Sequence, residues 1–297
     1  MVYTFREQMS SEPTIGSSGM KMEKYEIDVC KRTQCTEEQH AGPGLHNEDL
    51  EPLGASFMYH DCIEVLQDID ELNKVNEDGD TSLHLYIIIQ NLPCIGYAIN
   101  IAASTKLLNV QNKLLQSPLH LAVLTKQPSV VSKLVESGAD VMSRDRNGNT
   151  ALSIACRDGL FRIVNILVTA VKHRYVNECL QTQMSQLFAV VNYEGHTCIH
   201  LAANNNHLEV VKFIIESGAD INTAEAKTGR TILHNACISG DKTLVRYLIK
   251  LRSCNINAKS YASLTPFDLA RARSHDTICM VLAAAGARYG YEADDDV

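Results

Sequence analysis

The chain of 297 residues lacks the usual signatures of catalysis. It contains no glycine-rich phosphate loop, no G-x-S-x-G, no H-E-x-x-H and no C-x-x-C. These absences argue against nucleotide hydrolysis, serine acyl transfer, zinc proteolysis and dithiol redox chemistry. Nor is there a zinc-ligand spacing among the ten cysteines, and no cofactor is expected. No apolar run approaches the ~18 residues of a membrane span, and Met1–Glu7 do not open a signal-peptide core. The expectation is an intracellular, non-enzymatic chain with no membrane or nucleic-acid partner, monomeric when free. The cysteines are expected to be unpaired; Cys156, Cys198 and Cys237 act as small apolar residues.

What the chain has is repetition. Thr81-Ser82-Leu83-His84-Leu85-Tyr86 returns as Ser117-Pro118-Leu119-His120-Leu121-Ala122, then as Thr150–Ala155, Thr197–Ala202, Thr231–Ala236 and Thr265–Ala270. In the second copy Ser117 and Pro118 form a helix-start signal, and Pro128 opens a second helix. Val130, Val131, Leu134 and Val135 recur at helical spacing, Gly138 sits at a left-handed C-cap, and Asn147-Gly148 marks a turn. A phrase of this kind every ~33 residues is the ankyrin signature. The fold class expected is all-α: an ankyrin-repeat solenoid of six helix-turn-helix repeats with hairpin loops and a disordered N-terminal leader. Histidines 84, 120, 200 and 234 recur at one fixed position, which assigns them a structural role at the join of loop and first helix. Ser153 and Asp268 replace them in the third and sixth repeats, which are expected to be locally weaker.

Three regions follow. Residues 1–55 read as a disordered acidic leader, 56–288 as the repeat domain with a capping helix over Phe57–Leu72, and 289–297 as a short acidic tail. The gap between third and fourth phrases is longer than the others, with the excess around Lys172–Val191, predicting a loop or an extended second helix. Charge is uneven. Through Asp80 there are 18 Asp and Glu against 6 Lys and Arg, whereas the whole chain carries −8, so the repeats are mildly basic behind an acidic entrance. An acidic entrance suits a basic peptide.

Three strings resemble the inhibitor of NF-κB (IκB) family, including its Cactus type. They are Asn76–Leu85, Leu108–Val123 followed by Gln127-Pro128, and Asn192–Ala202. The resemblance covers about residues 57–288, and the long third interval and six-repeat count agree with it. It implies binding of Rel/NF-κB homo- or heterodimers, masking of a basic nuclear-localisation segment, and retention in the cytoplasm, with shuttling to the nucleus open. Glu77, Asp78 and Asp80 are the residues expected to draw the basic segment. Asn112, Arg146, Asn192, Tyr193, Glu225 and Tyr261 are expected to supply the remaining contacts from loop tips, with the two tyrosines either anchoring the partner or packing on the neighbouring loop. A generic ankyrin scaffold with an unrelated partner and a nuclear co-regulator of the same family are the alternatives.

Family members destroyed on signalling carry Asp-Ser-Gly-x-x-Ser, a site for kinase and ubiquitin-ligase machinery. Here the nearest string is Ser17-Ser18-Gly19-Met20-Lys21-Met22. Ser18, and Ser17 in the aspartate's place, are the phosphate acceptors; Met22 cannot provide the second. A constitutive inhibitor would carry such a leader. Asn222, two residues after Asp220, resembles the turn asparagine that an asparaginyl hydroxylase modifies in ankyrin proteins; its other reading is a hydrogen-bonding turn residue.

Overall fold

The computed structural model describes residues 74–174 and 180–288. The leader, the capping helix over Phe57–Leu72, the tail, Ser17 and Ser18 lie outside the described residues. Thirteen α-helices are present among those described, in six antiparallel pairs plus one extra. The pairs are α1 (Ser82–Ile88) with α2 (Leu92–Ala103), α3 (Pro118–Leu124) with α4 (Pro128–Glu136), and α5 (Ala151–Arg157) with α6 (Phe161–Arg174). After α7 (Leu180–Ala189) come α8 (Cys198–Asn204) with α9 (Leu208–Glu216), α10 (Ile232–Ser239) with α11 (Lys242–Lys250), and α12 (Pro266–Ala272) with α13 (Asp276–Ala284).

Each first helix starts where the repeated phrase starts. Its Thr or Ser stands in extended geometry as N-cap, and Pro118, Pro128 and Pro266 occupy the first turn. Helices of seven to nine residues are too short to stand alone, so packing must hold them. One continuous apolar cluster runs from Leu83 to Leu282 and supplies that packing. Within it Ile99, Leu134, Leu167, Ile214 and Leu248 are fully buried on the second helices, each contributing about 1.5–3 kcal/mol. No described residue forms a named strand; the loops are closed instead by single backbone hydrogen bonds, as where Asn112 N–H donates to the Gln116 carbonyl at 3.0 Å. The expected hairpins are therefore turns too short for a ladder.

The long third interval proves to be both an extended second helix and an additional one. α6 runs 14 residues, and α7 follows it, burying Met184, Leu187 and Phe188. Arg174 donates to the Val135 carbonyl (3.0 Å) and Lys172 to the Ser217 hydroxyl (3.3 Å), so the extended helix straps the second repeat to the fourth.

The recurring histidine does more than cap its own helix. In the second repeat, Ser117 N–H donates to His120 Nδ1 (3.2 Å) while Nε2–H reaches the Asn149 carbonyl of the next repeat (3.1 Å). His84 reaches Gln116, His200 reaches Arg230 and His234 reaches Leu264 in the same way. Each accepting carbonyl immediately precedes the next N-cap residue, so the imidazole staples adjacent repeats. Donating from Nε2 and accepting at Nδ1 requires the neutral ring. Burial lowers the pKa of all four, that of His200 to about 4. The Ser153 hydroxyl keeps only a local bond with Thr150 Oγ1 (3.1 Å), and Asp268 accepts from Thr265 N–H (2.8 Å). Both retain the cap and lack the long-range donor.

Cys156, Cys198 and Cys237 are free and buried, as small apolar residues should be. Cys94 departs from the expectation of unpaired thiols: it is disulfide-bonded.

Candidate partner-binding surface

The loops between repeats stack like rungs, and their register decides which side chains face outward. Each rung has a base residue, half-buried at Asn76 and buried at Asn112, Asp145, Asn192, Glu225 and Ser260. In four of them a side-chain oxygen receives two backbone N–H groups of its own turn. Asn112 Oδ1 accepts from Leu114 (3.0 Å) and Gln116 (2.9 Å), Asp145 Oδ1 from Asn147 and Asn149 (both 2.8 Å). Asn192 Oδ1 accepts from Glu194 and His196, Asn76 Oδ1 from Asp78 and Asp80. Bases also bond to the residue four places after the preceding base, Asn112 Nδ2 donating to Asp80 Oδ1 at 2.8 Å and Asn192 Nδ2 to Asn149 Oδ1 at 3.0 Å.

The residue after each base ties its rung to the one before. Lys113 N–H donates to Asp78 O, Arg146 to Leu114 O, Tyr193 to Asn147 O, Ala226 to Gly195 O and Tyr261 to Thr228 O, at 2.9–3.0 Å. With their backbones fixed, these residues point a row of side chains into solvent. Glu77, Lys113, Arg146, Tyr193, Ala226 and Tyr261 are all exposed.

The sequence-predicted residues therefore divide. Glu77, Asp78, Arg146, Tyr193 and Tyr261 lie on exposed tips. Asp80, Asn112, Asn192 and Glu225 do not: they are buried, because their polar atoms are used inside the rungs. Asp80 takes the Asn112 amide, and Glu225 Oε2 accepts from Thr228 Oγ1 at 2.7 Å. Asn222 lies at a different turn, where Nδ2 donates to Ser253 O (2.7 Å) and Oδ1 accepts from Asn255 N–H (2.7 Å), joining the fourth repeat to the fifth.

Both tyrosines pack on the neighbouring loop and keep much of the ring exposed. Tyr193 lies against Gly148, with the Arg144 guanidinium 5.4 Å from its ring centroid, and remains 66% exposed. Tyr261 lies against Gly229, where an added Cβ would stand 2.4 Å from Cδ1, and remains 69% exposed. One ring face is seated on the preceding rung and the other is open. Such fixed aromatic rings contact a partner at little entropic cost.

Lys113, Leu114 and Arg144 escaped the sequence reading although they stand exposed among these tips. The signal was their register: Lys113 follows a base residue as Tyr193 does, and Leu114 comes next. The row thus begins acidic at Glu77 and Asp78, turns basic at Lys113, Arg144 and Arg146, and becomes aromatic at Tyr193 and Tyr261. No group of three or more His, Cys, Asp or Glu able to hold a metal occurs among the described residues.

Known proteins are similar to this chain in sequence and in fold. A family profile described as ankyrin repeats (3 copies) matches residues 53–145 and 119–225, and an ankyrin repeat profile matches 228–258. The NF-kappa-B inhibitor cactus of Drosophila yakuba is 33% identical over 244 residues, 76% of this chain and 50% of that protein. The mouse (Mus musculus) NF-kappa-B inhibitor alpha is 38% identical over 153 residues, covering 51% and 46% respectively. The mouse B-cell lymphoma 3 protein homolog is 34% identical over 230 residues, covering 75% and 48%. The chain thus spans half or less of the length of these relatives. Among solved structures, the crystal structure of the ankyrin repeat domain of Bcl-3, titled a unique member of the IkappaB protein family, superposes with a TM-score of 0.64 at 32% identity. That superposition covers 71% of this chain and 89% of that domain.

Proposed function

The chain belongs to the IκB family of ankyrin-repeat proteins, and from that premise we propose that it binds Rel/NF-κB dimers and inhibits them. It masks their basic nuclear-localisation segment and holds them in the cytoplasm. The observation that carries the reading is the ordered row of rung tips, rigid in backbone and acidic at its first rung. A lysine- and arginine-rich segment is drawn to Glu77 and Asp78. Exposed ion pairs contribute only ~0–1 kcal/mol each, so the bulk of the affinity comes from Tyr193, Tyr261 and the neighbouring tips.

The relatives named as NF-kappa-B inhibitors support this partner class. So does the interaction-scaffold character of the fold, which presents an extended surface in place of a reaction pocket. The leader offers Ser17 and Ser18 to kinase and ubiquitin-ligase machinery, but Met22 denies it a second phosphate at the required spacing, so inhibition is constitutive.

Co-expression with a fluorescent Rel dimer in cultured cells tests the reading. The dimer is expected in the cytoplasm with the unmodified chain, and in the nucleus when Glu77→Lys and Asp78→Lys are combined. A dimer that stays nuclear beside the unmodified, folded chain overturns retention and leaves nuclear co-regulation as the family reading.

A further inference from the structure

We propose that the outer face of the fifth and sixth repeats, built on α11 and α13, is a second docking surface whose partner is an acidic polypeptide segment carrying apolar side chains. From Lys242 to Phe267 the sequence holds five cations, Lys242, Arg246, Lys250, Arg252 and Lys259, and no carboxylate. Lys242, Arg246 and Lys250 are spaced by four residues, so they form a stripe along α11 with ~6 Å between neighbours. All three are exposed.

Their environment leaves them unused. Among the described residues no ion pair involves the α11 cations. The acids nearest the stripe are accounted for in part. Asp241 accepts the N–H groups of Thr243 and Leu244 as the helix cap, while Glu216 stands by Tyr247 and Asp276 by Cys279. A further cation, Lys212 on α9, sits 5.5 Å from the Tyr247 ring centroid and adds to the stripe's positive side. The strap of α6 gives the contrast: Lys172 and Arg174 are also basic, but both are bonded within the fold.

Between the stripe and α13 lies a small cleft lined by Lys242, Val245, Arg246, Thr277, Ile278 and Val281, of which Val245 and Ile278 are buried. Met280, on the next helix, is 65% exposed. Cations in line beside an exposed thioether match a segment with carboxylates along one edge and an apolar residue on the other. Nucleic acid offers the charge without the apolar group, so the peptide is the better fit. The surface lies on second helices, whereas the Rel reading uses the rung tips, so the two can be tested apart.

The probe is a fluorescein-labelled synthetic helix-forming peptide with four glutamates at four-residue spacing and two leucines, titrated into the full chain and followed by anisotropy. Binding is expected, weakening about tenfold between ~50 and ~300 mM salt as exposed pairs are screened. Lys242→Glu with Arg246→Glu and Lys250→Glu should abolish it, and Met280→Asp should weaken it at least several-fold. A peptide with serines for the leucines should bind more weakly than the parent. If the serine peptide or a single-stranded oligonucleotide of equal charge binds as well as the parent, the site is a plain polyanion surface and the proposal is overturned. No binding by the unmodified chain overturns it as well. Circular dichroism melts establish that the variants fold, with the triple Gln substitution as the milder form. Capture of a Rel dimer by the triple variant should be unchanged, which separates this surface from the rung tips.

Discussion

Replacing His120 by alanine removes one staple and tests the reasoning behind the repeats. The ring is buried, accepts from Ser117 N–H at 3.2 Å and Ser117 Oγ at 2.8 Å, and donates to the Asn149 carbonyl at 3.1 Å. Alanine loses bonds worth ~0.5–1.5 kcal/mol each and strands buried polar groups at ~1–3 kcal/mol each. It also leaves a ring-sized cavity between the repeats. The expected destabilisation is about 3–5 kcal/mol. Ser153→Ala is the matched control: it removes only the local bond between Ser153 Oγ and Thr150 Oγ1 (3.1 Å) at the equivalent position, at about 1 kcal/mol. Urea titration read by far-ultraviolet circular dichroism gives the global cost, and hydrogen exchange at the second and third repeats gives its location. If His120→Ala costs no more than Ser153→Ala, the staple is not a stabilising element.

The histidines also predict a pH response. They are neutral in the fold, with His200 down at about 4 against 6.5 when unfolded, so the unfolded chain binds more protons below 6.5 and stability falls as pH drops from 6.5 through about 4. His200 alone contributes about 3 kcal/mol to that loss, and melting temperatures equal at pH 7.5 and 5 would refute it. Gly229→Ala places a Cβ against the Tyr261 ring at a backbone φ of +69°, so it should cost about 1–2 kcal/mol and weaken Rel capture; unchanged capture would remove Tyr261 from the contact. Asn222→Ala breaks the bridge to Ser253 and Asn255, with about 1–3 kcal/mol lost and faster amide exchange across the fourth and fifth repeats; unaltered exchange there would contradict the bridging role.

The helix pairs were legible because the phrase carries its own start signals. Ser117-Pro118, Pro128 and Gly138 mark positions that the structure confirms, Gly138 standing at φ +99°. The strapped insertion was legible in position but only half in form, since a gap in a repeat does not say whether the added residues coil. Loop register was not legible. Asn112, Asn192 and Glu225 are residue types that serve equally on an exposed tip and as the acceptor inside a turn, and only the rung-to-rung hydrogen bonds separate the two. The histidine's reach to the next repeat and the Cys94 disulfide depend on neighbours distant in the chain, which local pattern does not encode. The stripe on α11 was hidden by averaging charge over the whole repeat body.

Titration of the purified chain with a purified Rel dimer by isothermal calorimetry tests the central claim most directly. The account predicts saturable binding that weakens with added salt, weakens further when Glu77→Lys and Asp78→Lys are combined, and weakens again with Tyr193→Ala and Tyr261→Ala. A folded chain that gives no heat of binding with any Rel dimer, or binds with the same affinity after all four substitutions, would contradict it.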